Sequence, residues 1–101
     1  MTFNEYQTFT ATTALYTNML YPVMGLAEEA GEVVEKYAKA LRDDKDFPVE
    51  DIKKELGDVL WMLARTADDI GLTLSEVAEF NVAKLTDRQQ RNVLRGAGDD
   101  R

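Results

Sequence analysis

Four acidic residues at matched spacing are the part of this 101-residue chain best suited to chemistry. Glu29 and Glu32 stand three apart, and so do Glu55 and Asp58. On a helix that spacing puts both members of a pair on one face, about 60° from each other. Four clustered carboxylates raise one another's pKa and destabilise the fold that gathers them. A divalent cation removes that penalty, so the cluster reads as an oxygen-donor metal site. The chain has no cysteine and no histidine. That excludes disulfides, zinc fingers and iron–sulfur clusters, together with Cys/His and Ser/His/Asp catalysis. Oxygen ligands alone point to Mg²⁺ or Mn²⁺. The competing reading is a pair of solvated acidic helix faces, salt-bridged to Lys36, Lys53 and Lys54.

The acids arrive in matched phase because the segments that carry them repeat. With Pro22 set on Pro48 the chain realigns on itself at a shift of 26 residues, without a gap. Leu26 falls on Ile52, Glu29 on Glu55, Gly31 on Gly57, Glu32 on Asp58 and Val33 on Val59. Each copy predicts an amphipathic helix opened by its proline. The first carries an apolar stripe at 23, 26, 27, 30, 33, 34, 37 and 41 and ends near Arg42. The second carries Ile52, Leu56, Val59, Leu60, Leu63, Ala67 and Ile70. The acids sit on the shoulder of each stripe. The charged loop 43–46 is short, so the two helices run antiparallel and their shoulders face each other across a pseudo-twofold axis. Gly31 and Gly57 each cost helix propensity, about 1 kcal/mol relative to alanine, which suggests close helix approach or room for a ligand.

Two further helices flank the pair. Thr2 and Glu5 form a capping box that opens a helix predicted to reach about Tyr16. Its threonines at 8, 10, 12 and 13 leave it only moderate propensity, and a break is predicted at Thr17-Asn18. After Gly71 as a C-cap, Thr73 and Glu76 form a second capping box and open the last helix, with the stripe Leu74, Val77, Ala78 and Leu85. Asn81 falls inside that stripe. Asn81, Lys84, Arg88 and Arg91 follow at spacings of 3, 4 and 3, a cationic line able to hold phosphate oxygens or simply to complement the helix dipole. Trp61, Tyr21, Met24 and Phe9 are candidates to stack on a base, although each taken singly fits core or subunit contact better. The tail 95–101 is glycine-rich and charged, either flexible or ordered over a ligand.

The bulk numbers fit this picture. The chain predicts an all-α fold, a four-helix bundle-like protomer forming one domain over 1–101. At 45% hydrophobic content its core is small, so burying more apolar surface by oligomerising is expected. The net charge of −7 argues against nucleic acid or an anionic membrane as the main partner. No signal peptide and no span of membrane length is read in the sequence, so a cytoplasmic location is expected.

The whole pattern resembles the MazG-type, all-α nucleoside triphosphate pyrophosphohydrolases. Their signature is E-x-x-E, a spacer, then E-x-x-D. Here it reads Glu29-Ala-Gly-Glu32, 22 residues, then Glu55-Leu-Gly-Asp58. Downstream, Asn81-x-x-Lys84-Leu85-x-x-Arg88 resembles the family's phosphate-contacting segment, and Gly96-x-Gly98-Asp99 the ending of some short members. The resemblance covers roughly residues 20 to 101. It implies hydrolysis of a (deoxy)nucleoside triphosphate to the monophosphate and pyrophosphate, in nucleotide-pool cleansing or adjustment, with Mg²⁺ or Mn²⁺ held by Glu29, Glu32, Glu55 and Asp58. It implies catalytic roles for Glu28, Glu32 and Glu55. Lys84, Arg88 and Arg91 would contact phosphates, Asn81 would orient phosphate or water, and Trp61 and Tyr21 would meet the base. With no histidine, a carboxylate or a metal-held hydroxide must activate water. Met62 stands where some relatives carry an aromatic residue that helps hold the base. Short members assemble as dimers or dimers of dimers. The alternatives are a dUTPase-like or phosphoribosyl-ATP pyrophosphohydrolase-like activity, or a non-catalytic helical oligomerisation module.

Overall fold

A computed structural model describes residues 1–101 as four helices and no strands: α1 (Phe3–Thr13), α2 (Leu20–Arg42), α3 (Val49–Asp69) and α4 (Leu74–Gln90). Both capping boxes form. The Thr2 hydroxyl accepts from the Glu5 amide at 3.0 Å while the Glu5 carboxylate accepts from the Thr2 amide at 2.9 Å. Thr73 and Glu76 repeat the arrangement at the head of α4.

α1 stops three residues short of the predicted Tyr16, and its threonines explain why. Thr12 and Thr13 donate their hydroxyls to the carbonyls of Phe9 and Thr10. Such back-bonding competes with the helical ladder, and Ala14 turns extended. α2 begins two residues ahead of Pro22. The Asn18 carboxamide oxygen accepts from the Leu20 amide at 2.9 Å, so the predicted break also helps start the next helix. Pro22 still lies in the first turn, where an amide hydrogen has no helical partner. Pro48 caps α3 from outside, and Gly71 ends it at φ +81°, a conformation that favours glycine.

The loop after Arg42 returns α3 antiparallel along α2, as the repeat requires. α1 lies across α3 and α4, and a buried side chain fixes it there. Gln7 donates to the Leu72 carbonyl at 2.9 Å and to the Ala64 carbonyl at 3.4 Å, and accepts from the Leu74 amide at 2.9 Å. Two backbone groups at the α3–α4 turn and one carbonyl of α3 thereby gain a partner from one residue of α1. Ala64, Ala67 and Leu74 pack beneath it with Tyr6. Ile52, Met62 and Ala40 are buried between α2 and α3.

The four helices form an open arrangement, not a closed bundle. α2 packs on α3 alone, so much of its predicted apolar stripe lies bare: Val34 is 65% exposed and Leu41 72%. Phe80 on α4 is 73% exposed. The radius of gyration is 16.4 Å, against about 13 Å for a compact domain of this length. No helix is long and apolar enough to cross a membrane.

Candidate active site

The antiparallel pairing of α2 and α3 brings their acidic shoulders together. Carboxylate oxygens of Glu29, Glu55 and Asp58 lie within 4.8 Å of one another. Glu32 is not part of this convergence, although its charge reaches Glu29. The Glu29 carboxyl is pushed above its ordinary value first by partial burial, then by the charges of Asp58, Glu28, Glu55 and Glu32. Four neighbouring acids therefore act on Glu29, with Glu28 standing on the exposed side of α2. One cation approaches: Lys36 Nζ is 3.9 Å from Glu55 Oε1. Three converging carboxylates without a nitrogen or sulfur donor suit a hard divalent cation, so the donor set fits the expected metal.

Gly31 and Gly57 do not serve helix approach. A side chain at either would meet nothing within 4 Å. The close approach is at Gly25, where an added Cβ would overlap the Met62 side chain. Met62, buried on α3, fills the space that Gly25 leaves, and this pins the two acid-bearing helices at a fixed spacing.

Beside the acids an aromatic group closes the α1–α2 connection. Trp61, one turn beyond Asp58, donates its indole N–H to the Thr13 hydroxyl at 2.8 Å and meets Tyr16 edge-on at 6.2 Å. Tyr16 stacks on Tyr21 at 5.6 Å. Arg65 is buried beneath them. It donates to the Tyr16 phenol oxygen at 3.2 Å and pairs with Asp68 at 3.0 Å and Asp69 at 3.6 Å. Tyr16 donates to Asp69 at 2.6 Å. Tyr21 is 53% exposed, so one ring of the group faces outward. Tyr6 lies near Asp58: burial, then the Asp58 charge, raises its phenol pKa.

On α4, Asn81 lines the cleft between α3 and α4 with Leu60 and Leu63. It is exposed, so its place in the apolar stripe reflects an uncovered face rather than a buried polar contact. Lys84 and Arg88 both meet Asp99 of the tail. Arg91 is engaged on its own helix, where its Nε donates to Asp87 at 2.9 Å.

The family profile of the MazG nucleotide pyrophosphohydrolase domain matches residues 18–93. This chain belongs to the MazG family. It is also 38% identical over 110 residues to the "Gene 37 protein" of Mycobacterium phage L5, covering 95% of this chain and 96% of that protein. No solved structure matches it.

The matched MazG span holds all four signature acids and the Asn81–Arg91 line, but neither α1 nor Asp99. The sequence reading missed what those flanking parts contribute. Thr13 and Tyr16 hold Trp61 of the MazG domain from outside it, and Asp99 meets its cations. No spacing rule connects residues 48 or 45 positions apart. Arg65 was also missed; it follows the apolar run Val59–Ala64, and a charge buried there needs partners.

Proposed function

We propose that this protein hydrolyses a (deoxy)nucleoside triphosphate to the monophosphate and pyrophosphate, with Mg²⁺ or Mn²⁺ bound at the α2–α3 acids. The convergence of Glu29, Glu55 and Asp58 within 4.8 Å, in a chain of a nucleotide pyrophosphohydrolase family, carries the reading. Glu29, Glu55 and Asp58 would hold the metal, with Glu32 joining them by a side-chain turn about α2. A divalent cation there supplies positive charge against the triphosphate oxygens.

The remaining work falls to the chain's own side chains. Water attacks phosphorus in line, a new P–O bond forms, and the phosphoanhydride bond to pyrophosphate breaks. A carboxylate must accept the proton that the water loses. Glu28 and Glu32 stand beside the three converging acids and are assigned that role, with Glu55 on the opposite helix. Lys84 and Arg88 hold phosphate oxygens through charge-assisted hydrogen bonds, with Arg91 at the outer end of the line and Asn81 orienting phosphate or water. Tyr21 offers an exposed ring to the base, and Trp61 keeps the aromatic group in place. The bare apolar stripe of α2 is the surface a second copy would cover, in a dimer or tetramer.

The test is a panel of (d)NTPs with Mg²⁺ or Mn²⁺, with products separated. Monophosphate plus pyrophosphate is expected for at least one nucleotide. Release of inorganic phosphate would overturn the mechanism. No turnover with any triphosphate at either metal would leave the helical oligomerisation module as the better reading.

A further inference from the structure

Lys84 and Arg88 already have an anion. The chain after α4 turns back and sets Asp99 against both, its Oδ1 3.5 Å from Lys84 Nζ and 3.5 Å from Arg88 Nη2. Arg88 also donates to the Asp99 backbone carbonyl. The fold-back is built. Gly98 takes φ +85°, a left-handed conformation suited to glycine. A side chain at Gly96 would overlap the Arg101 side chain. That guanidinium crosses the gap to donate to the carbonyls of Val93 at 3.0 Å, Leu94 at 2.9 Å and Gly98 at 2.6 Å. Arg88 is 5% exposed, so its charge is taken from water and given to the tail.

Two cations one helical turn apart, with a carboxylate between them, form a recognition geometry for an oxyanion. A carboxylate is one such group and a phosphate another. Lys84, then Arg88, holds the Asp99 carboxyl below its ordinary value. We propose that Asp99 is a built-in competitor: the tail carboxylate occupies the Lys84–Arg88 pair in the resting protein, and a substrate phosphate must displace it. This rests on the reading above that the pair binds phosphate.

The contact is poised to yield. The Asp99 side chain is 88% exposed and that of Lys84 32%, so although Arg88 is buried the carboxylate itself stands in water, where ion pairs are weak. A polyphosphate brings more charge and more oxygens to the same two donors. Arg101, anchored on three carbonyls away from the pair, keeps the tail close enough to return. Competition of this strength lowers apparent phosphate affinity by about two- to fivefold.

Calorimetric titration of the full chain with inorganic tripolyphosphate in Mg²⁺ tests this. Asp99→Asn keeps the backbone carbonyl but removes the charge, and should bind about two- to fivefold more tightly than the parent. Arg101→Met, which loosens the tail from outside the pair, should move affinity in the same direction. Lys84→Gln should weaken binding, and the gain from Asp99→Asn should shrink in that background. If Asp99→Asn binds no better or worse than the parent while Lys84→Gln still weakens binding, the competitor role is wrong and the phosphate reading stands. If Lys84→Gln leaves affinity unchanged, or no variant binds, the phosphate reading itself falls and the competitor role with it.

Discussion

Replacing Glu29 with glutamine should stabilise the metal-free protein and at the same time remove its response to metal. Glu29 faces two other carboxylates with oxygens no more than 4.8 Å apart. Two unit charges at that distance repel by about 1 kcal/mol at the dielectric of water and by about 3.5 kcal/mol at an effective value near 20. Asp58 is exposed and Lys36 offsets Glu55, so the lower end applies, about 1–2 kcal/mol in all. For a domain of this length that corresponds to a rise in Tm of about 5–10 °C, read by thermal circular dichroism in EDTA at low salt. The gain should shrink in 1 M NaCl, where screening acts over about 3 Å. It should also shrink on acidification. A carboxyl with a raised folded-state pKa destabilises fully above that pKa, and the penalty fades as pH falls toward the ordinary glutamate value. Saturating Mg²⁺ or Mn²⁺ reverses the order, because a ligand at 100 times its Kd stabilises the parent by about 2.7 kcal/mol and the variant by much less. A variant less stable than the parent in EDTA, or equal metal-induced shifts in both, would refute the argument.

Glu32→Gln and Asp58→Asn should each lower kcat/KM by about 100-fold or more with unchanged helical circular dichroism; retained activity would show that the site is misassigned. Gly25→Ala should cost about 1–3 kcal/mol in urea denaturation, because its Cβ meets the buried Met62. Gly31→Ala and Gly57→Ala, open to space, should instead stabilise by about 0.5–1 kcal/mol. Tyr16→Phe removes a hydrogen bond to Asp69 and one from Arg65, and should cost about 1–2 kcal/mol with a change in Trp61 fluorescence.

The helices were legible because their signals are local. Two capping boxes, two prolines and a glycine C-cap need only a few neighbouring residues to act, and each lies at or within two residues of a helix end. The acid pairs were legible because the repeat sets their phase. What the sequence withheld is long-range. Gln7 closing the α3–α4 turn, Thr13 holding Trp61 and Asp99 covering Arg88 depend on how elements cross, and periodicity carries no record of that. Periodicity also marked apolar faces on α2 and α4 without saying that the fold leaves them uncovered. Glu32 shows the limit of the repeat: equivalent spacing placed it on the right shoulder, yet its carboxylate does not converge with the other three.

The duplicated helices are not chemically equivalent, and the departure falls where charge matters. Position 36 corresponds to position 62 in the repeat. One copy has lysine there, beside Glu55; the other has methionine, buried under Gly25. Glu29 and Glu55 hold equivalent positions in the repeat, but Glu55 has a resident counter-charge and Glu29 has only like charges around it. The broken symmetry gives the acid cluster a handedness. Positive charge added to the cluster would meet an uncompensated side at Glu29 and a partly compensated one at Glu55, so a pair of helices alike in sequence makes a cluster with a front and a back.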